Sequence, residues 1–458
     1  MMKTYDAIIV GAGQAGPPLA ERLIAAGQTV CLVERGRFGG TCVNTGCMPT
    51  KTLVASAHAA HIARRAGDFG VIAGPVSIDF ARVMARKDKV VDTASGGVRG
   101  WLDGMKGCTV LEGHARFVSP TEMQVGESRI TAPTIFLNVG GRAVIPDLPG
   151  VHDVPVLTNT TILQLTELPE HLVVVGGSYI GLEFAQMFRR FGSEVTVVEK
   201  GERIIQREDV DISEAIQAAL EAEGVRFRLK ADCITFVMRG DRIAVGVDCN
   251  DSEPEVLGTH VLLAVGRRPN TDDLDLDKAG VVVDARGAIT VDDQLQTTVD
   301  GIWALGDCNG RGAFTHTAYN DFEIVADNLL AGADRKVTDR IDTYALYVDP
   351  PLGRVGMTEA QALAAGHRIE VGVRPMTRVG RAVEKGETRG LMKIVIDADT
   401  QAILGGAILG PGGDEAIHAV VNAMASGARA STLQHTVHIH PTVSELIPTI
   451  VGERKPVS

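Results

Sequence analysis

Residues 7–51 read AIIVGAGQAGPPLAERLIAAGQTVCLVERGRFGGTCVNTGCMPTK, and two signals in this stretch decide the fold. The first is a strand, a glycine turn, a helix and a second strand. Apolar Ala7 to Val10 lead into Gly11, Gly13 and Gly16, a helix runs to about Ala26, and TVCLVE ends at Glu34. The loop amides and the helix N-terminus offer donors to a pyrophosphate. Glu34 lies 23 positions after Gly11, where a carboxylate binds the hydroxyls of an adenosine ribose. Pro17 and Pro18 fall in the first turn, whose amides have no intrahelical partner. A GxGxxG string alone is weak, since 52 glycines give roughly 0.7 matches by chance in a chain of this length; the setting makes this one strong. The second signal is the thiol pair Cys42 and Cys47, preceded by Gly40 and Thr41 and followed by Lys51.

The composition bounds what such a chain does. At 458 residues, 45% of them apolar, it suggests two to four domains with real cores. A formal charge of −12 without clustered Lys or Arg argues against a nucleic-acid surface. No basic leader with an apolar core precedes YDAIIV, and no run approaches the ~18 apolar residues of a membrane span. A cytoplasmic location is therefore expected. Seven cysteines are too few for a secreted disulfide framework, so a CxxxxC pair reads as catalytic or metal-binding. Zinc would want two more ligands close by, and none appears, so no metal site is expected. Cys31, Cys108, Cys233, Cys249 and Cys308 lack the context of a second redox pair and read as small buried or half-buried residues, with Cys308 open to solvent access.

A second nucleotide unit begins at His171: HLVVVGGSYIGLEFAQMFRRFG, then SEVTVVEKGERI. Gly176 and Gly181 hold the first and third glycine positions, and Ser178 stands at the middle one. Glu199, again 23 positions after the first glycine, favours the free 2′-hydroxyl of NADH, while Lys200 and Arg203 keep NADPH possible. Two units imply two nucleotides.

The string GGTCVNTGCMPTK resembles the redox-active disulfide of the flavin-dependent pyridine nucleotide-disulfide oxidoreductases, the family of dihydrolipoamide dehydrogenase, glutathione reductase and mercuric reductase. HPTVSE, with His440 and Glu445, resembles the family's HPTxSE string, and GIWALGDCNG resembles its flavin-domain segment. The resemblance implies an α/β protein with two Rossmann-like nucleotide-binding domains, for FAD and NAD(P), and a C-terminal α+β dimerisation domain. Residues 1–145 and 268–338 would form a split FAD domain, 146–267 the NAD(P)H domain and 339–458 the interface domain. The strings FLNVGGRAVIPDLPG and LLAVGRRPNT, the latter containing Gly266, resemble the crossings between the nucleotide domains. In the interface region LMKIVID and ILGGAIL read as strands and EAIHAVVNAMASGA as helical.

The same resemblance implies the roles. Asp307 would bind the ribityl chain, and Lys51 would sit near the flavin N5 with Glu183 of YIGLEFA as its partner beside the nicotinamide. Cys47 would lie against the flavin as a charge-transfer thiolate and Cys42 would exchange with substrate. His440, a histidine able to exchange protons near neutral pH, would act as base oriented by Glu445, and would come from the partner subunit of a homodimer. His435 and His438 read as structural or surface residues. CVNTGCMPTK with SAHAAHIARR is closer to mercuric reductase cores, while FTHTAYNDFEIV and PPLGRVGMTEAQA resemble the copper-acting reductase of bacterial reactive-chlorine resistance. Residues 1–458 show neither the N-terminal metal-binding domain nor the C-terminal cysteine pair of mercuric reductases, so efficient mercury detoxification is not expected. The expected function is electron passage from NADH through FAD to Cys42–Cys47 and on to a small disulfide or thiol-bound metal ion. The alternatives are mercuric or cupric ion reduction proper, or a slow thiol redox sensor or structural subunit.

Overall fold

The computed structural model describes residues 2–248 and 253–457; Cys249 lies outside them. The strand Ala7–Val10 is the centre of a five-stranded sheet, flanked by Val30–Glu34 and Cys108–Glu112 on one side and Thr134–Leu137 and Ile302–Ala304 on the other. Every pair is parallel, with Ala7 opposite Val30 and Thr134. Such sheets are covered on both faces, which is why AIIV is a continuous apolar run rather than an alternating one. Ala7, Ile8 and Ile9 are fully buried.

The chain leaves this sheet after Leu137 and returns to it at Ile302. Between those points it builds a second parallel sheet, ordered Val156–Leu157, His260–Leu263, His171–Val175, Glu194–Val198 and Arg226–Arg228. The outgoing and returning segments pair antiparallel, Gly141–Ala143 against Arg267–Pro269, so the two glycine strings form one two-stranded link. From Thr343 onward the chain forms a six-stranded antiparallel sheet in which Leu391–Asp397 and Ile403–Leu409 are adjacent. The helical EAIHAVVNAMASGA pattern divides: Gly413–Ala416 and His418–Ala425 are separate helices meeting at Ile417.

The two parallel sheets use one device at their ligand edge. Gly11 has φ +108°, and a Cβ there would stand 2.2 Å from the Asn138 carbonyl oxygen. Gly176 has φ +114°, and its Cβ would stand 2.5 Å from the carbonyl oxygen of Ala264. Both positions need glycine for conformation and for space. Two cysteine expectations change: Cys308 is fully buried rather than accessible, because its strand-end turn packs under Ile289 and Leu137, and Cys233 is disulfide-bonded rather than a plain buried thiol.

Candidate active site

Cys42 lies on the short helix Gly40–Thr45, and Cys47 opens the long helix Cys47–Arg65. Gly46 turns the chain between them, with Thr41 O 2.9 Å from where a Cβ would be. This hinge points both thiols to one side, within mutual hydrogen-bonding reach. Both are free thiols. The hydrogen bond from Cys42 is the main cause lowering Cys47 to about 6, helped by Thr315 and by the charge of Lys51 against the opposing effects of burial and Glu183. The Cys42 thiol is pushed up in turn, first by that hydrogen bond and then by burial and the Cys47 charge. Both shifts run toward thiolate character at Cys47 and a retained proton at Cys42. A thiolate is the reactive form of cysteine, so this division of roles is chemical, not only geometric.

Lys51 follows Cys47 by one helical turn. Its Nζ donates to Glu183 Oε2 at 2.7 Å and lies 4.6 Å from the centre of the Tyr347 ring. Glu183, on the helix Tyr179–Phe191, is nearly fully buried, and its other oxygen accepts from the Tyr347 backbone N–H at 3.1 Å. The pair thus spans three segments far apart in sequence. Thr315, the first residue of the helix Thr315–Ala331, places its hydroxyl 3.3 Å from Cys47 Sγ.

These residues open onto one cavity of about 650 Å³, lined also by Gly11, Gly13, Glu34, Gly40, Thr41 and Asp307. A Cβ on Gly40 would stand 2.9 Å from the Gly13 Cα, so the thiol-bearing helix starts directly on the first glycine loop. Glu34 accepts from the Ala12 and Gly36 amides at 2.8 and 2.7 Å, which ties the carboxylate to that loop. Burial pushes the Asp307 carboxyl up, with Arg267 opposing. The Arg267 Nε is 3.7 Å from Asp307, and the same side chain donates to Thr41 Oγ1 and the Gly141 carbonyl. The turn carrying Asp307 is anchored from behind: Asp321 accepts from the Gly306 amide and from Asn309, and pairs with Arg340. A glycine-walled trough joined to the thiol pair, with carboxylates at Glu34 and Asp307, fits a flavin dinucleotide.

Not every expected residue lines this cavity. Gly16 is packed behind it, 2.3 Å from Gly11 O to where its Cβ would be. Gly176, Gly181, Glu199 and Gly266 belong to the second nucleotide unit. Glu199 repeats the Glu34 arrangement, accepting from the Gly177 and Gly201 amides at 2.6 and 2.8 Å, and Gly181 packs on the Gly176 carbonyl as Gly16 does on Gly11. His440 and Glu445 find each other, Nδ1 to Oε2 at 2.8 Å, but the imidazole is 80% exposed and lies outside the cavity lining. His435 is exposed and His438 half-buried. Thr315, Tyr347 and Arg267 were not singled out from the sequence, although FTHTAYNDFEIV and LLAVGRRPNT contain two of them. Among the described residues the acidic group Asp209, Asp211 and Glu359 is filled by Lys393, whose Nζ is 2.7 Å from Asp211.

Residues 5–321 match the pyridine nucleotide-disulphide oxidoreductase model, and residues 343–451 match that family's dimerisation domain. The chain belongs to this family of enzymes, which work with flavin and a nicotinamide dinucleotide. It is 37% identical over 452 residues to the probable pyridine nucleotide-disulfide oxidoreductase RclA of Escherichia coli, covering 97% of this chain and 98% of that one. It is 36% identical to a dihydrolipoyl dehydrogenase of Thermus scotoductus (97% and 96% covered) and 32% identical to a mercuric reductase of Bacillus cereus (96% and 70%). The solved Cu(II) complex of E. coli RclA, described as an HOCl-induced flavoprotein disulfide reductase, superposes with a TM-score of 0.90 at 36% identity over 98% of this chain and 99% of that one. No helix among the described residues is long and apolar enough to cross a membrane.

Proposed function

We propose that this enzyme takes electrons from NADH, passes them through FAD to the Cys42–Cys47 disulfide, and delivers them to a small disulfide or a thiol-bound soft metal ion in the cytoplasm. The observation that carries the reading is the geometry of the thiol pair: Cys42 and Cys47 stand within hydrogen-bonding reach across the Gly46 turn, with the Thr315 hydroxyl 3.3 Å from the Cys47 sulfur and the Lys51–Glu183 pair one helical turn on, an environment that lowers the Cys47 thiol. FAD, when bound, supplies the two-electron relay between nicotinamide and thiols. Gly11, Gly13, Gly16, Gly40, Thr41, Glu34 and Asp307 of residues 1–145 and 268–338 would hold it. Gly176, Gly181, Glu199 and Gly266 at 146–267 would hold NADH, the carboxylate of Glu199 favouring a free 2′-hydroxyl over a phosphate. Residues 339–458 would pair two copies of the chain.

In this reading the thiolate of Cys47 stays inside, next to Lys51 and Glu183, and Cys42 is the exchanging sulfur. Cys42, deprotonated by the partner subunit's His440, attacks one sulfur of the acceptor disulfide and releases the other as a thiol that takes the proton back. Cys47 then attacks Cys42, closing the internal disulfide and releasing the second sulfur as a thiolate that takes its proton from solvent; two electrons leave with the product, with one proton from Cys42 and one from water. A soft metal ion bound by thiolates would use the same sulfurs, and the similar RclA solved as a Cu(II) complex supports testing that branch.

The test is anaerobic NADH oxidation by the purified flavoprotein against oxidised lipoamide, oxidised glutathione, mercuric ion and cupric ion, with Cys42→Ser alongside. The expected result is fast turnover with one acceptor class that the variant loses while flavin reduction by NADH persists. Wild-type acceptor rates in Cys42→Ser would sink the disulfide mechanism, and turnover confined to metal ions would decide the acceptor class.

A further inference from the structure

Beside the redox cavity, and outside every role assigned so far, Arg207 lies against three aromatic rings. Its guanidinium carbon lies 4.1 Å from the ring centre of Tyr344, 4.8 Å from Tyr179 and 5.8 Å from Phe314. The rings also meet one another: Tyr179 stands edge-on to Tyr344 at 5.4 Å and to Phe314 at 6.4 Å, and Phe314 stacks on Tyr344 at 5.9 Å. Among the described residues Arg207 forms no ion pair. The neighbouring carboxylate is already committed, since Glu208 accepts from Arg354 at 2.7 Å and from the Tyr344 hydroxyl. The cation is therefore held by ring faces, an interaction that orients planar groups.

The three rings come from three parts of the fold. Tyr179 begins the helix that carries Glu183, Phe314 precedes Thr315 at the Cys47 thiolate, and Tyr344 lies on the first strand of the C-terminal sheet. Tyr179 and Phe314 line the cavity, whereas Tyr344 and Arg207 touch those rings without lining it. We infer that Arg207 is a positioning residue: it fixes the Tyr179–Phe314 face of the cavity and so sets affinity for the nicotinamide end of the dinucleotide. This inference rests on the proposed reading of the cavity. Tyr179 is one helical turn from Glu183 at the redox end, whereas the adenosine end is expected at Glu199. The effect should therefore be confined to the nicotinamide half.

The experiment is calorimetric titration of oxidised, flavin-loaded enzyme with NAD⁺ and, separately, with ADP-ribose, which lacks the nicotinamide. Arg207→Met is expected to weaken NAD⁺ binding about tenfold while ADP-ribose changes less than about twofold, and Arg207→Lys, which keeps charge without the planar group, should fall between. Arg207 is solvent-exposed, so melting temperatures close to wild type are expected for both variants. Equal weakening of both ligands, or unchanged NAD⁺ affinity, would overturn the positioning role. Wild-type enzyme that binds ADP-ribose and NAD⁺ equally would instead remove the reading of the cavity on which the role depends.

Discussion

Around Cys47 a single chain supplies every contact, from the Cys42 thiol to the Thr315 hydroxyl and the Lys51–Glu183 pair, whereas around His440 it supplies only Glu445 and leaves four-fifths of the imidazole in solvent. In the proposed mechanism the contrast follows from what each group would do. A thiolate needs a fixed field of donors and cations, because its charge must be stabilised before any substrate arrives. A proton carrier needs only an oriented ring and access to the reacting sulfur. The flanks of His440 carry two apolar side chains left to solvent, Val437 and Ile439, 95% and 80% exposed. The segment lies within the residues that match the family's dimerisation domain. One half of the proposed centre is thus finished on folding, and the other is presented for assembly.

The largest effect should come from the half that is presented. His440→Ala is expected to lower acceptor turnover by about 10²–10⁴-fold, the usual worth of a positioned acid–base group, while stopped-flow flavin reduction by NADH stays at the wild-type rate. Mixed dimers break or sharpen the comparison directly. When Cys42→Ser and His440→Ala proteins are dissociated together and re-paired, half the dimers are mixed and each has one intact site, so about a quarter of wild-type turnover should return. If both groups acted within one chain, every site would lack one of them and nothing would return.

A smaller and opposite failure is expected in the finished half. Glu183→Gln removes the buried carboxylate that holds Lys51 at 2.7 Å and receives the Tyr347 amide. Loss of that orientation should slow flavin reduction by NADH about tenfold, and the subsequent delivery of electrons to acceptor, followed in a single turnover from pre-reduced enzyme, should be unchanged. A variant slowed equally in both half-reactions would mean that Lys51 and Glu183 merely support the thiol helix.

What could be read in the sequence and what could not divides along the same line. Gly11, Gly176, Cys42 and Cys47 were legible because each acts through its immediate neighbours in the chain: a strand must end, turn and admit a helix, and only glycine fits beneath the Asn138 and Ala264 carbonyls. Lys51 with Glu183 and His440 with Glu445 were found through motif resemblance, and the structure brings both pairs within hydrogen-bonding distance. Thr315 was missed because it meets Cys47 across 268 residues of chain. A lone threonine in the first turn of a helix reads as an ordinary helix-start residue, and nothing local marks the sulfur opposite it. Tyr347 and Arg207 were missed for the same reason, since a ring face used by a cation has no sequence spacing. The division of EAIHAVVNAMASGA into two helices was hidden because its apolar periodicity continues through Ile417.

The Thr315 contact also carries the smallest predicted effect and the one that tests the field around Cys47 most directly. A hydrogen bond to a charged group is worth about 1.5–3 kcal/mol, or about one to two units of pKa. Thr315→Val, similar in shape but without the hydroxyl, should therefore raise the Cys47 midpoint from about 6 by about one unit, and Thr315→Ser should restore it. The pH dependence of alkylation of the reduced flavoprotein by iodoacetamide reads this midpoint. The sign in stability is fixed by the same shift. A thiol whose folded value lies below its unfolded value of about 8.5 stabilises the fold fully above that value, and the contribution is lost as pH falls through 6. Thr315→Val should accordingly melt below wild type in alkaline buffer and converge with it in acid. A constant difference at every pH would assign Thr315 to packing, and Cys47 would then owe its charge to Cys42 and Lys51 alone.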